Sequence, residues 1–115
     1  MPGRDVTPRF KAPRAAQRAR RARTDRAYSA WRKVVLAERP RCEVCQEHAA
    51  DELHHRRRRS RGGALMCRDN VVAVCTRPWT RNCHARIHAN PTWAREHGYL
   101  VFEGDPAWTD LGEPA

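Results

Sequence analysis

The sequence predicts a small α+β domain, and three observations lead there. Asp51–His55 and Asn70–Cys75 are stretches of strand length, the second rich in β-branched residues. They precede a segment, Asn82–Ala89, in which His84 and His88 stand four apart, the spacing of one helix face. The chain has 115 residues, 40% of them apolar, and a mean hydropathy of −0.89, so one domain with a small core is expected. Small cores usually need a disulfide, a metal or a partner as a staple.

In chain order, residues 1–23 hold Pro2, Pro8, Pro13 and an Arg-rich run from Arg14 to Arg23 with nothing bulky to bury. A basic disordered arm is expected there, able to become helical on a phosphate backbone. Thr24-Asp25 then offers an N-cap. Tyr28, Trp31, Val34 and Val35 recur at helical spacing to Glu38, and Pro40 stops the helix. After the two strands, Asn82 caps the His-bearing helix. Asn90, Pro91 and Gly98 then read as cap, first residue and terminator of another helix. Tyr99–Glu103 suits a last strand, and 105–115 a loose tail despite Trp108. The domain proper is expected over 24–104, with its core at 42–90.

The formal charge is +10 and the pI about 10.6, which points to a polyanionic partner such as DNA. All the basic residues except Lys11 and Lys33 are Arg, whose planar fork suits phosphate. Arg56, Arg57, Arg58, Arg59 and Arg61 crowd the loop between the strands and are the candidate DNA contacts. No apolar run is long enough to cross a bilayer, so no membrane partner is expected. Without an apolar leader, the five Cys argue for a cytoplasmic protein that uses them as ligands.

Cys42-Glu-Val-Cys45 is a knuckle that Cys75 and Cys83 can complete as a four-thiolate structural zinc site. The wide gap between Cys75 and Cys83 leaves Cys67 as an alternative to Cys75, and the insert 76–82 must loop out. His84, His88 and His54 together make a three-nitrogen pocket with positions open to water and substrate, the composition of a catalytic metal site. His55, adjacent to His54 at a strand end, is placed to act on water as a general base. A redox role for Cys42 and Cys45 lacks the βαβ pattern that usually surrounds such a pair.

Taken together, Glu52-Leu-His54-His55, Gly62-Gly63, Asp69-Asn70-Val and Cys83-His84-x-x-x-His88 resemble the HNH endonucleases of the ββα-metal (His-Me finger) fold. The form is the His-His variant of colicin-type nucleases, joined to the Cys-braced phage and bacterial type. The resemblance covers about residues 40–100. It implies hydrolysis of DNA phosphodiesters with one divalent ion (Mg, Mn, Ni or Zn) on His54, His84 and His88. His55 would be the base, and Asn70 the residue fixing the base-bearing loop. It also implies a bacterial or phage-infected cell and admits a larger phage-packaging or restriction partner. The rival expectation is a zinc-braced DNA-binding module without catalysis.

Overall fold

Strand β1 (Glu52–His55) pairs antiparallel with β2 (Val71–Val74), with His54 opposite Val72 and His55 opposite Val71. Side chains alternate across a strand, so this ribbon has two faces. On one, Leu53, Val71 and Ala73 pack with Trp31, Val35 and Leu36 of α1 (Lys11–Glu38). On the other, Val72 and Val74 meet Ile87 of α2 (Cys83–Ala89), Ala94 of α3 (Pro91–Glu96) and Leu100. A two-stranded ribbon is at best marginal alone. Helices cover both of its faces here, giving an α+β domain with the ribbon as its middle layer. This computed structural model describes residues 11–77 and 82–114.

α1 is fastened to the ribbon by side chains as well as by its apolar stripe. Arg32 donates to Glu52 at 2.9 Å and to the Asp51 carbonyl. Arg68 grips Glu38 through two bonds of 2.8 and 2.9 Å, and Arg39 donates to the carbonyls of Val71 and Arg68. The expected start at Thr24 is not there. The helix runs unbroken from Lys11, so 11–23 is helical rather than a disordered arm, while 1–10 lies outside the described residues. Ala, Arg and Gln dominate that stretch and all favour helix. Once the packed half exists, propagation along such residues is nearly free. Residues 14–23 are exposed throughout, so apolar content decided whether this part packs, not whether it coils.

Two further expectations at the C-terminal end are corrected. Tyr99–Glu103 forms no strand: Leu100 and Val101 are buried, but only one ladder-like bond, Val101 N–H to the Arg56 carbonyl at 2.9 Å, joins them to β1's exit. Burial of the apolar run is achieved without a partner strand. Nor is 105–114 loose. Leu111 is 2% exposed, and Arg57 stacks on Trp108 at 3.8 Å while donating to its carbonyl at 2.8 Å. Ala64 N–H donates to the Leu111 carbonyl, and Glu113 N–H to that of Gly62. Gly62 has φ +82°, and a Cβ on Gly63 would collide with the Arg57 carbonyl, so the Gly-Gly pair is what lets this loop fold back.

Leu111→Ala should therefore lower unfolding free energy by about 2–4 kcal/mol, seen as an earlier denaturant midpoint. An unmoved midpoint would mean that the segment is loose after all.

Candidate metal centres

The cysteine knuckle is shaped by its own backbone. Cys42 N–H donates to the His48 carbonyl and Gln46 N–H to that of Cys42, each at 2.9 Å, with Gln46 in the left-handed region at φ 59°. Cys75 leaves the end of β2, and Cys83 opens α2, where Asn82 Oδ1 accepts from Ala85 N–H as the expected cap. His84 N–H donates to the Cys75 carbonyl at 3.2 Å and ties strand exit to helix start. The sulfurs of Cys42, Cys45, Cys75 and Cys83 thereby lie within 4.8 Å of one another, with Cys45 and Cys75 at 3.9 Å.

Metal–sulfur bonds of about 2.3 Å in a tetrahedron place sulfurs about 3.8 Å apart, so this set fits a structural ion such as zinc. Its acid–base chemistry agrees. Burial opposes ionisation of Cys45, yet the N–H groups of Glu47 and His48 and neighbouring thiols outweigh it and bring its pKa down to about 7. Burial pushes Cys75 and Cys83 up instead. A cluster that readily makes one thiolate and resists the next is one a cation completes. The sequence gap therefore did not matter: elements, not spacing, bring Cys75 to Cys83. Cys67 stands outside the cluster, preceding the short 3₁₀ turn Arg68–Asn70.

The second cluster is His54, His84 and His88, also within 4.8 Å. Ring centroids are 4.9–5.4 Å apart, and the Nε2 atoms of His84 and His88 approach to 3.2 Å. Metal–nitrogen bonds of about 2.0–2.1 Å separate tetrahedral nitrogens by about 3.3 Å, so the helix pair fits a common ion. His54 is 3% exposed, and its Nε2 lies 2.7 Å from the Tyr99 carbonyl. A carbonyl only accepts, so Nε2 carries the proton and Nδ1 keeps the lone pair. That outer bond is the usual means of orienting a ligating imidazole. Burial, then the neighbouring imidazoles, bring the His54 pKa down to about 4. Burial also lowers His88, helped by His84 and by Arg58. Both stay in the neutral form that metals require. An open cleft of about 520 Å³ reaches His84 and His88 from the side of Thr76, Arg77 and Asn82.

His55 follows His54 on β1 and turns to the other face, where its ring sits 5.8 Å from that of Tyr28. Its Nε2 lies 2.9 Å from the Leu65 carbonyl, which again fixes the proton there and leaves Nδ1 basic. Charge on His55 disfavours charge on His54, so the two faces are electrostatically joined at the strand end. Asn70 is fully buried. Its Oδ1 accepts from Arg57 N–H at 2.8 Å, and its Nδ2 donates to the carbonyls of Arg57 and Ala64 at 3.1 and 2.8 Å. One amide thus closes the loop that follows His55.

The Arg cluster divides. Arg58, Arg59 and Arg61 are exposed, whereas Arg56 donates to the Gly98 and Asp69 carbonyls and Arg57 to those of Arg61 and Trp108. Two of the expected DNA contacts therefore brace the fold. The carbonyls of Tyr99 and Leu65, which orient His54 and His55, could not be foreseen, because a backbone oxygen has no residue signature. Among the described residues no helix is long and apolar enough to cross a membrane. No family model, curated protein or solved structure matches the chain.

The cysteine set should hold one zinc per chain after dialysis, measured by atomic emission. Cys83→Ser should lose most of it, while His84→Ala should keep it. Equal loss in both would refute two separate centres. His54 supplies a pH test. Its pKa falls from an ordinary value near 6.5 to about 4, so between these values the unfolded chain binds a proton that the folded chain refuses. Stability is then full above pH 6.5 and declines as pH falls towards 4. Without added divalent ions, wild type should lose on the order of 1 kcal/mol more than His54→Gln between pH 7.5 and 5.5, read by chemical denaturation. Parallel pH dependence in the two proteins would refute it.

Proposed function

We propose that the chain is a metal-dependent DNA endonuclease of the HNH type, with its ββα-metal unit formed by β1, β2 and α2. The reading is carried by one observation: three imidazoles converge from a strand and a helix beside an open cleft, with His55 as the next residue on the strand. A purely structural site would be closed by a fourth protein ligand. The His set has none among the described residues, while the Cys set, a short way along the same helix, has four.

His55 takes a proton from a water held against the scissile phosphate, its basic nitrogen defined by the bond to the Leu65 carbonyl. The hydroxide attacks phosphorus in line with the 3′ oxygen, which leaves and takes a proton from solvent, so the ends are 5′-phosphate and 3′-hydroxyl. His54, His84 and His88 would hold the divalent ion, whose chemistry when bound is to withdraw charge from the phosphate and stabilise the departing oxyanion. Asn70 holds the loop after His55 in place, and the exposed Arg58, whose charge favours neutral His88, would pair with a phosphate oxygen. The rival, a zinc-braced DNA-binding module, explains the cysteines and the charge but gives the histidine triad no task.

Supercoiled plasmid incubated with zinc-loaded protein should pass to open-circle or linear form only when Mg²⁺, Mn²⁺, Ni²⁺ or added Zn²⁺ is supplied. His55→Ala should slow this by at least 100-fold with DNA binding retained. Binding without cutting by wild type under every ion would replace the nuclease with the binding module.

A further inference from the structure

α1 is a rigid 28-residue helix of which only the C-terminal half packs against the ribbon. Its projecting half, 14–23, is exposed and contains Arg14, Arg18, Arg20, Arg21 and Arg23 with no acidic residue. Helical spacing sorts these into two faces. Arg14, Arg18 and Arg21 stand at i, i+4 and i+7, one stripe along the helix. Continued by further turns, that stripe passes Asp25 and reaches Tyr28 and Arg32. Tyr28 lies against His55, and Arg32 is bonded to Glu52 on β1. Arg20, Arg23 and Arg26 point elsewhere.

We infer that the stripe Arg14–Arg18–Arg21 is a docking face for the phosphate backbone of duplex DNA, set on the same side of the molecule as His55. The helical rise of 1.5 Å per residue puts Arg14 about 21 Å from Tyr28, the length of about six base pairs. Towards the body, Thr24 and Arg59 line one groove between helix and loop, but Asp110 and Glu113 line it too, so the basic path thins there. Asp25 interrupts the stripe nearest the body, so phosphate contact begins at Arg21 and runs outward. A lipid surface does not fit, since Ala is the only apolar residue in 14–23 and nothing there could enter a bilayer. A straight, helically spaced row of guanidinium groups suits the fixed phosphate spacing of a duplex better than a flexible single strand. The inference rests on the nuclease reading only for the side from which the duplex arrives.

Two triple variants of equal charge test it: R14Q/R18Q/R21Q and R20Q/R23Q/R26Q, both checked for unchanged helicity by circular dichroism. Affinity is read by fluorescence anisotropy on a labelled 20-base-pair duplex and its single strand, without divalent ion so that nothing is cut. The stripe variant should bind the duplex at least 10-fold more weakly and lose about 2.7 from the slope of log affinity against log salt. The opposite-face variant should lose less than 3-fold. Wild type should also prefer the 20-mer to an 8-mer by more than the stripe variant does. Equal losses in the two triples would reduce the arm to undirected charge and overturn the docking face. So would a loss seen only with the single strand. A chain that never cuts plasmid yet loses duplex affinity only through the stripe would support the docking face and sink the nuclease. Normal cutting with equal losses would do the reverse.

Discussion

A one-residue slip of β1 against β2 would exchange the positions of His54 and His55. His54 would leave the imidazoles of α2 for the α1 face, and His55 would take its place beside the Tyr99 carbonyl, out of reach of the Leu65 carbonyl that now orients it. Register in a strand pair is strict only where at least one face is buried, because side chains repeat every two residues. Here both faces are buried, and differently. Leu53 and Ala73 belong to the α1 side, Val72 and Val74 to the α2 and α3 side, so a slip of β1 would lift Leu53 out of its cluster and set the buried His54 against α1 in its place. That double penalty keeps two adjacent histidines in two distinct surroundings.

The ribbon is four residues per strand, and ladder bonds this few hold little. The cysteine cluster compensates by joining three segments, the knuckle before β1, the end of β2 and the first turn of α2, which are otherwise held by a few bonds such as Glu43 N–H to the Ala73 carbonyl and His84 N–H to that of Cys75. The same arrangement sets the orientation of α2, and so of His84, which follows Cys83 directly. The two clusters are mechanically linked but differ in kind: four sulfurs enclose one space, while three nitrogens leave theirs open towards the cleft.

Much of this could be read from residues whose chemistry is local. Asn82 is a helix cap because of its own side chain, and His84 and His88 share a face because of helical pitch alone. The four cysteines were identifiable as a set despite the spacing. What escaped the sequence was non-local or counter to habit. Leu111 and Trp108 are single apolar residues without periodicity, and the partner that docks Trp108 is Arg57, far away in the chain and in sequence just one more basic residue of a polar loop. The first half of α1 reads as an unstructured arm because it lacks a core face, yet its Ala, Arg and Gln favour helix without one. Tyr99–Glu103 has the apolar run of a strand but forms none, since burial of Leu100 and Val101 does not specify backbone partners for them.

The docking of residues 107–113 onto the loop 57–65 also makes the setting of His55 depend on a segment far along the chain. That loop carries the Leu65 carbonyl that orients His55, and Glu113 accepts from Leu65 N–H at 3.1 Å. Gly62 and Ala64 are held from the same segment, through Glu113 N–H and the Leu111 carbonyl. Proteins open locally as well as globally, and an opening confined to 107–113 would loosen the loop behind His55 while the ribbon and both clusters kept their own contacts.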